Sequence, residues 1–380
     1  MTLNNSYTSS VCLNETQLKM HGTEAEKYIQ RYVYSVIFLV GVTGNVLNLT
    51  VLLRRNVKTR SNSFLAALAF ADIVFLIILL PNILANYPFL GSNYVFRYLY
   101  FHSKVHLLSL NNWASGVAIW CVIAVSADRL LVYPLYIRNE WDWYVLPGIV
   151  GGIVVLTRLF SLYQHFEYSC KVRTFCFGSQ LISMCFPVTS ERFGNKPNPY
   201  SKRLRAFIAA SKMTHAVVMI IIPIITLIIL NTLLLLALRR RKQSILNTDL
   251  QRTKSVRDNQ THYIKTEHRV TVTVALIVTA FTITNGPSAL MQFIKWSDPR
   301  YPTLVCNTLV ILGKAINFIL FCLSSKHFRR RLMQLVRNDV SKQFNKFSNL
   351  SVMITDTNTS NRLSRFGRQR HFSSCDILRK

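Results

Sequence analysis

Apolar stretches of about 20 residues recur along the chain with polar segments between them. Each is long enough to cross a hydrocarbon core of about 30 Å as a helix. The pattern predicts spans over roughly 31–53, 64–87, 101–133, 144–164, 208–238, 270–295 and 302–323, seven in all. The third and fourth are the most interrupted, by Asp128 and Arg129 in one and Arg158 in the other. The seventh contains "GKAINFILF", in which Lys314 sits inside a run otherwise suited to lipid. A lysine at mid-membrane costs about 2.5–3.5 kcal/mol, so a partner is expected.

The polar segments organise the rest. The expected fold class is an all-α membrane protein, a seven-transmembrane helix bundle with a C-terminal amphipathic helix. Residues 1–30 read as an N-terminal segment, 31–325 as the membrane domain, and 338–380 as a basic, Ser-rich disordered tail that anionic lipid could hold loosely. Between them, 326–337 ("KHFRRRLMQLVR") puts Phe328, Leu332, Leu335 and Val336 on one helical face and arginines on the other. That pattern suits a helix lying on a membrane surface. No signal-peptide pattern precedes the first span, which is then expected to act as the insertion signal.

Charge adds an orientation. The chain has 380 residues, half of them hydrophobic, and a formal net charge of +29. The first short connection carries Arg54, Arg55, Lys58 and Arg60 without an acid; "RRRK" opens the 239–269 segment and "KHFRRRL" the C-terminal one. Short basic loops stay in the cytoplasm, so the N-terminus is expected outside and the C-terminus inside. Asn4 and Asn14 then become glycosylation acceptors, while Asn48, inside a span, does not. Residues 165–212 run against the charge rule, with eight basic residues and only Glu167 and Glu191 as acids. They form a solvated charged loop or an attractive field for an acidic ligand.

Of eight cysteines, Cys121 and Cys322 fall within spans and Cys375 in the tail. Cys12, Cys170, Cys176, Cys185 and Cys306 face the oxidising side, where at least one bridge is expected. Cys170–Cys176 and Cys12–Cys306 are the candidate pairs. Metal-ligand spacing, nucleophile elbow and phosphate-binding glycine loop are all missing from the sequence, so it gives enzymatic chemistry no foothold. No cofactor, metal or nucleic-acid partner is expected.

Polar residues inside the spans narrow the class. Gly44–Asn45, "LAFAD" ending at Asp72, "SADRL" with Asp128–Arg129, Pro223 in "IIPII", "FTITNGP" and "NFILF" at 317–321 follow one another in order. In order and spacing they resemble the class A (rhodopsin-like) G-protein-coupled receptors over roughly 31–337. "HFEY" after the fourth span and "NFILFCLSSKHFRRRL" resemble, more narrowly, invertebrate and nematode FMRFamide-type neuropeptide receptors. The resemblance implies a receptor that passes an extracellular ligand's signal, by population shift, to a heterotrimeric G protein.

It also implies roles. Asp128 holds Arg129 at rest, and Arg129 turns to the G protein on activation. Phe281, Asn285, Pro287, Asn317 and Phe321 stand at the switch positions of the sixth and seventh spans. Asp72 faces Asn317 across the middle, with Lys314 one turn away and able to reach Asp72 as a tethered cation. The outer cavity maps to Asn82, Asn86, Asn111, Asn112, Ser115, His215, Gln292 and Asn307. Amides predominate in this set, and they both donate and accept, as a peptide backbone requires. Glu167 at the mouth could pair with a basic peptide terminus.

The chain also departs from the family. Leu130 replaces a tyrosine, Asn285 a tryptophan, Phe318 a proline, Phe321 a tyrosine, and Pro134 comes early. Lys104 stands where the family carries the cysteine of its outer-loop bridge. The position that is aspartate in aminergic receptors is Asn111, which argues against a protonated amine. Lys314 lies a turn deeper than the retinal lysine of opsins. A chemosensory receptor for a small molecule and a non-signalling scaffold or decoy are the alternatives.

Overall fold

The computed structural model describes residues 10–20, 22–53, 60–135, 145–248, 257–291 and 300–324, and in the C-terminal segment 329, 330, 332–334 and 337. The chain divides into two units, Met1–Ser325 and Lys326–Lys380. In the second, the described residues are helical. Phe328, Leu335 and Val336, on the expected apolar face, lie outside the described residues, as do Asn4, Gln292, Cys375 and the tail.

The first unit is a bundle of seven helices. They are α1 (Glu24–Leu52), α2 (Arg60–Leu84), α3 (Tyr94–Leu135), α4 (Val145–Ser161), α5, α6 (Arg257–Leu290) and α7 (Arg300–Ser324). The α5 helix runs from Lys202–Ala216 through a π-turn at Val217–Ile221 into Ile222–Thr248. Among the described residues six helices are long and apolar enough to span a membrane, and the shorter apolar run Val272–Ser288 belongs to α6. Neighbours close a ring, α1–α2–α3–α5–α6–α7–α1, with α4 packed outside α3.

Several helices start earlier than hydropathy alone predicts, because polar first turns are capped. Thr23 accepts from Glu26 N–H, and Glu24 and Glu26 complement the α1 dipole. Ser201 accepts from Leu204 N–H to start α5. The α3 helix has 42 residues, so at 1.5 Å per residue it is about 63 Å long, well beyond the hydrocarbon thickness.

The helix surfaces follow membrane logic. Val36, Leu39, Ile77, Leu156, Ile225, Ile229, Ile283 and Ile319 are exposed, while Asn45, Asn48, Asp72, Ser126, Asn285 and Asn317 are buried. Polar residues in a membrane bundle face its interior, and apolar groups face lipid. Close helix approach explains the glycine before Asn45. A Cβ on Gly44 would come 2.6 Å from Phe318 Cγ, and one on Gly41 2.7 Å from Leu76 Cδ1. With α1 drawn in, Asn45 Nδ2 donates to both Gly41 O and Lys314 O at 2.9 Å. Arg158 is also accommodated: its guanidinium lies over the Trp113 ring, 5.5 Å from the centroid, and Nη2 is 2.6 Å from His165 Nε2.

A β-hairpin between α4 and α5 went unseen in the helical periodicity. Strands β1 (Tyr168–Phe175) and β2 (Gln180–Pro187) pair antiparallel, with Cys170 opposite Cys185. That register bridges Cys170 to Cys185, and the hairpin tip bridges Cys176 to Cys12. The pairs Cys170–Cys176 and Cys12–Cys306 expected from sequence are therefore corrected. Cys306 is a buried free thiol. The N-terminal segment reaches the tip through backbone pairing, Cys176 N–H to Val11 O, and through Gln180, which bonds Leu13 at both its N–H and its carbonyl.

Two turns before Lys104, a buried arginine ties the start of α3 to its surroundings. Arg97, 7 % exposed, donates to the carbonyls of Leu18, Gly91 and Leu181. One guanidinium thus joins the N-terminal segment, the α2–α3 connection and β2 to the start of α3.

Candidate functional site

Three polar layers lie along the inside of the bundle. The first is a cavity of about 750 Å³ at the hairpin end. Residues 100, 104, 107, 108, 111 and 115 of α3 line it, the i, i+4, i+7 rhythm of a single helix face. Of the residues singled out from sequence, Asn82, Asn111, Asn112, Ser115, Glu167, His215, Asn285 and Asn307 are in its wall. Asn86 is not. It is buried between α1 and α2, where Nδ2 donates to Gln30 Oε1 at 2.9 Å and to Asn82 O at 2.8 Å. The cavity expectation for Asn86 is corrected: its side chain holds two helices together.

Residues that the sequence did not flag complete the wall. Tyr100 donates its hydroxyl to Asn82 Oδ1 at 2.8 Å, orienting that amide. Gln30 and Gln164 add further amides, and Lys104 and Lys212 add cations. Glu167 is engaged by Lys212 at 2.7 Å, so its carboxylate already has a cation. Amide and hydroxyl groups on an apolar background are what a small-molecule or peptide site needs to fix orientation.

The cavity floor leads to the second layer. Phe75 and Phe281 line the floor, and their ring centroids lie 5.2 Å and 5.6 Å from Lys314 Nζ. Lys314 Nζ is 3.1 Å from Asp72 Oδ1, and Asn317 Nδ2 donates to Asp72 Oδ2 at 2.6 Å. The buried lysine therefore has a carboxylate and two aromatic faces, the sort of compensation that a desolvated ammonium requires. Asn285, at the family's tryptophan position, donates to Phe281 O at 2.9 Å and Thr284 Oγ1 at 3.1 Å. Pro287 lies within α6 two residues later. Phe321 belongs to α7, and its side chain falls outside the described residues.

The third layer is at the opposite end of α3. Arg129 Nη2 is 3.9 Å from Asp128 Oδ2. Ser61 of α2 joins the two more tightly. Its hydroxyl donates to Asp128 Oδ2 and accepts from Arg129 Nε at 2.5 Å. Ser61 carried no sequence signal, being one serine in "RSNSF". Both members of the pair are buried or nearly so.

A family model described as "Serpentine type 7TM GPCR chemoreceptor Srw" matches residues 32–339. The chain belongs to the Srw family of G-protein-coupled receptors. It is 35 % identical over 344 residues to the Caenorhabditis elegans protein F59B2.13, named as a G-protein coupled receptor, covering 88 % of this chain and 79 % of that one. A second nematode receptor, B0563.6, is 34 % identical over 115 residues, 29 % of this chain and 26 % of its own length. Mouse neuromedin-U receptor 1 is 34 % identical over 137 residues, 34 % of this chain and 30 % of its own.

Membership of the Srw family makes the chain a multi-pass membrane receptor and not an enzyme, and it implies coupling to a G protein. The reading of the intramembrane motifs as those of a G-protein-coupled receptor stands at this level. For an Srw receptor the three layers have an evident order: a ligand-sized cavity, a buried charged middle, and an arginine held at the far end.

Proposed function

We propose that the chain is a plasma-membrane receptor, N-terminus outside, that binds a short extracellular peptide in the hairpin-end cavity and activates a heterotrimeric G protein at the end carrying Arg129. The observation that carries this reading is the cavity itself. About 750 Å³ lined by amides at Gln30, Asn82, Asn111, Asn112, Gln164, Asn285 and Asn307 suits alternating donors and acceptors. A ligand that favours one arrangement of α6 and α7 would act through Phe75 and Phe281 on the Lys314 layer, and from there on the Arg129 end. The FMRFamide-type likeness of "HFEY" and the α7 ending supports a neuropeptide in particular.

A second reading is a chemosensory receptor for a small environmental molecule. It is favoured by the family description. One experiment separates the two. Cells expressing the receptor with a promiscuous G protein would be challenged with a neuropeptide library and with a panel of small volatile and water-soluble molecules. Responses confined to peptides are expected. Responses confined to the small-molecule panel would replace the peptide reading. Surface-expressed receptor silent to both, with no ligand-independent activity, would favour a decoy.

A further inference from the structure

Lys104 stands on the cavity face of α3, between Tyr100 and Leu107 in the lining. It makes no hydrogen bond or ion pair with any described residue, and it is exposed. The cavity's other lysine, Lys212, is already neutralised by Glu167 at 2.7 Å. Glu167 is the single acid among the described lining residues. Among the described residues, the cavity wall therefore holds one lysine, Lys104, without a carboxylate partner.

Two acceptors point the same way. Gln164 is 7 % exposed, and its Oε1 is buried without a hydrogen-bond partner. Asn111 Oδ1 is likewise buried and unpartnered. Buried acceptors left unpaired cost free energy, so a ligand N–H that draws either amide round to the cavity gains affinity. Asn111 lies seven residues beyond Lys104 on the same helix, about 10 Å along the axis. A group offering an anion to Lys104 and an amide N–H about 10 Å deeper would meet Lys104 and Asn111, and Gln164 lies in the same wall.

The approach is charged to match. The hairpin and its flanks, residues 165–212, carry eight lysines and arginines against two acids. Such a field draws anions towards the mouth and raises their encounter rate.

We infer that the ligand is an acidic peptide, one that presents a carboxylate to Lys104 and backbone N–H groups to Gln164 and Asn111. This rests on the peptide-receptor reading above and adds the ligand's charge. It also reverses the sequence expectation of a basic terminus meeting Glu167, because Lys212 holds that carboxylate.

The test uses full-length receptor purified into lipid nanodiscs and three pools of N-acetylated, C-terminally amidated pentapeptides on one scaffold, bearing Asp/Glu, Asn/Gln or Lys/Arg. Thermal stabilisation reports binding. The acidic pool should stabilise the wild type and the other two should not. Lys104→Met should weaken that binding by about tenfold to a hundredfold, the value of one hydrogen bond to a charged group. Lys104→Glu should turn the preference towards the basic pool. Lys104 is exposed, so neither variant should disturb folding, and unliganded melting checks this. Equal stabilisation by the neutral or basic pool, indifference to Lys104→Met, or no stabilisation by any pool overturns the inference. Nucleotide exchange on added G protein keeps the two claims apart. Acid-selective binding without exchange on any G protein would remove the receptor reading and leave the ligand's charge standing. Exchange driven equally by all three pools would do the reverse.

Discussion

Lys314 Nζ lies 3.1 Å from Asp72 Oδ1, with both side chains at most 1 % exposed. The pair joins α7 to α2 at the centre of the bundle and answers the question raised by a lysine in an apolar span. In the resembled family a sodium ion often occupies the space between the second-span aspartate and the seventh-span asparagine. Here a tethered ammonium occupies that space, capped by Phe75 and Phe281.

Breaking such a pair from one side strands a buried charge, at a cost of about 3–5 kcal/mol. Asp72→Asn and Lys314→Met alone should each lower surface expression and the melting temperature. The double mutant should recover much of the loss. Single mutants as stable as the wild type, or a double mutant no better than the worse single, would show that the pair does not hold the bundle.

An ammonium already stands beside Asp72. Ligand affinity measured in sodium and in N-methylglucamine at equal ionic strength should agree. A sodium-specific loss of affinity would require a second cation site beside Asp72.

Mass mapping of the non-reduced protein should find Cys12–Cys176 and Cys170–Cys185 joined and Cys306 as a free thiol. Recovery of Cys170–Cys176 or Cys12–Cys306 peptides would contradict the hairpin register.

Arg97 ties the N-terminal segment, the α2–α3 connection and β2 to the start of α3. Arg97→Ala removes donors to three carbonyls on separate segments and should cost about 2–3 kcal/mol, the scale of hydrogen bonds to a charged donor. The hairpin end should become more open to hydrogen exchange while the Asp72–Lys314 layer keeps its protection. An unchanged exchange pattern would mean that the two disulfides and the hairpin suffice.

How much of this could be read in the sequence differs by layer. The seven helices were legible because lipid demands long apolar runs, and Asp72, Asn317 and Lys314 because charge is costly inside them. Helix starts were less legible, since Thr23 and Ser201 extend α1 and α5 by caps that hydropathy ignores. The hairpin was hidden because loop pairing and disulfide partners depend on register, which Cys170 and Cys185 acquire only once β1 meets β2. Ser61 and Arg97 were also silent. Their importance comes from what α2, α3 and the N-terminal segment bring beside them in space. Asn86 looked like a cavity amide because it lies one turn from Asn82. It lies in the turn beyond the end of α2 at Leu84, where its amide meets Gln30.

The most direct measurement is nucleotide exchange on purified heterotrimer by the receptor in nanodiscs, comparing wild type, Arg129→Ala and Ser61→Ala. Ser61 bridges Asp128 to Arg129, and one hydrogen bond is worth about 1 kcal/mol. Ser61→Ala should therefore raise ligand-independent exchange roughly fivefold. Arg129→Ala should abolish exchange while ligand-dependent thermal stabilisation persists. Full exchange by a well-folded Arg129→Ala receptor would contradict the assignment of that end of α3 to the G protein.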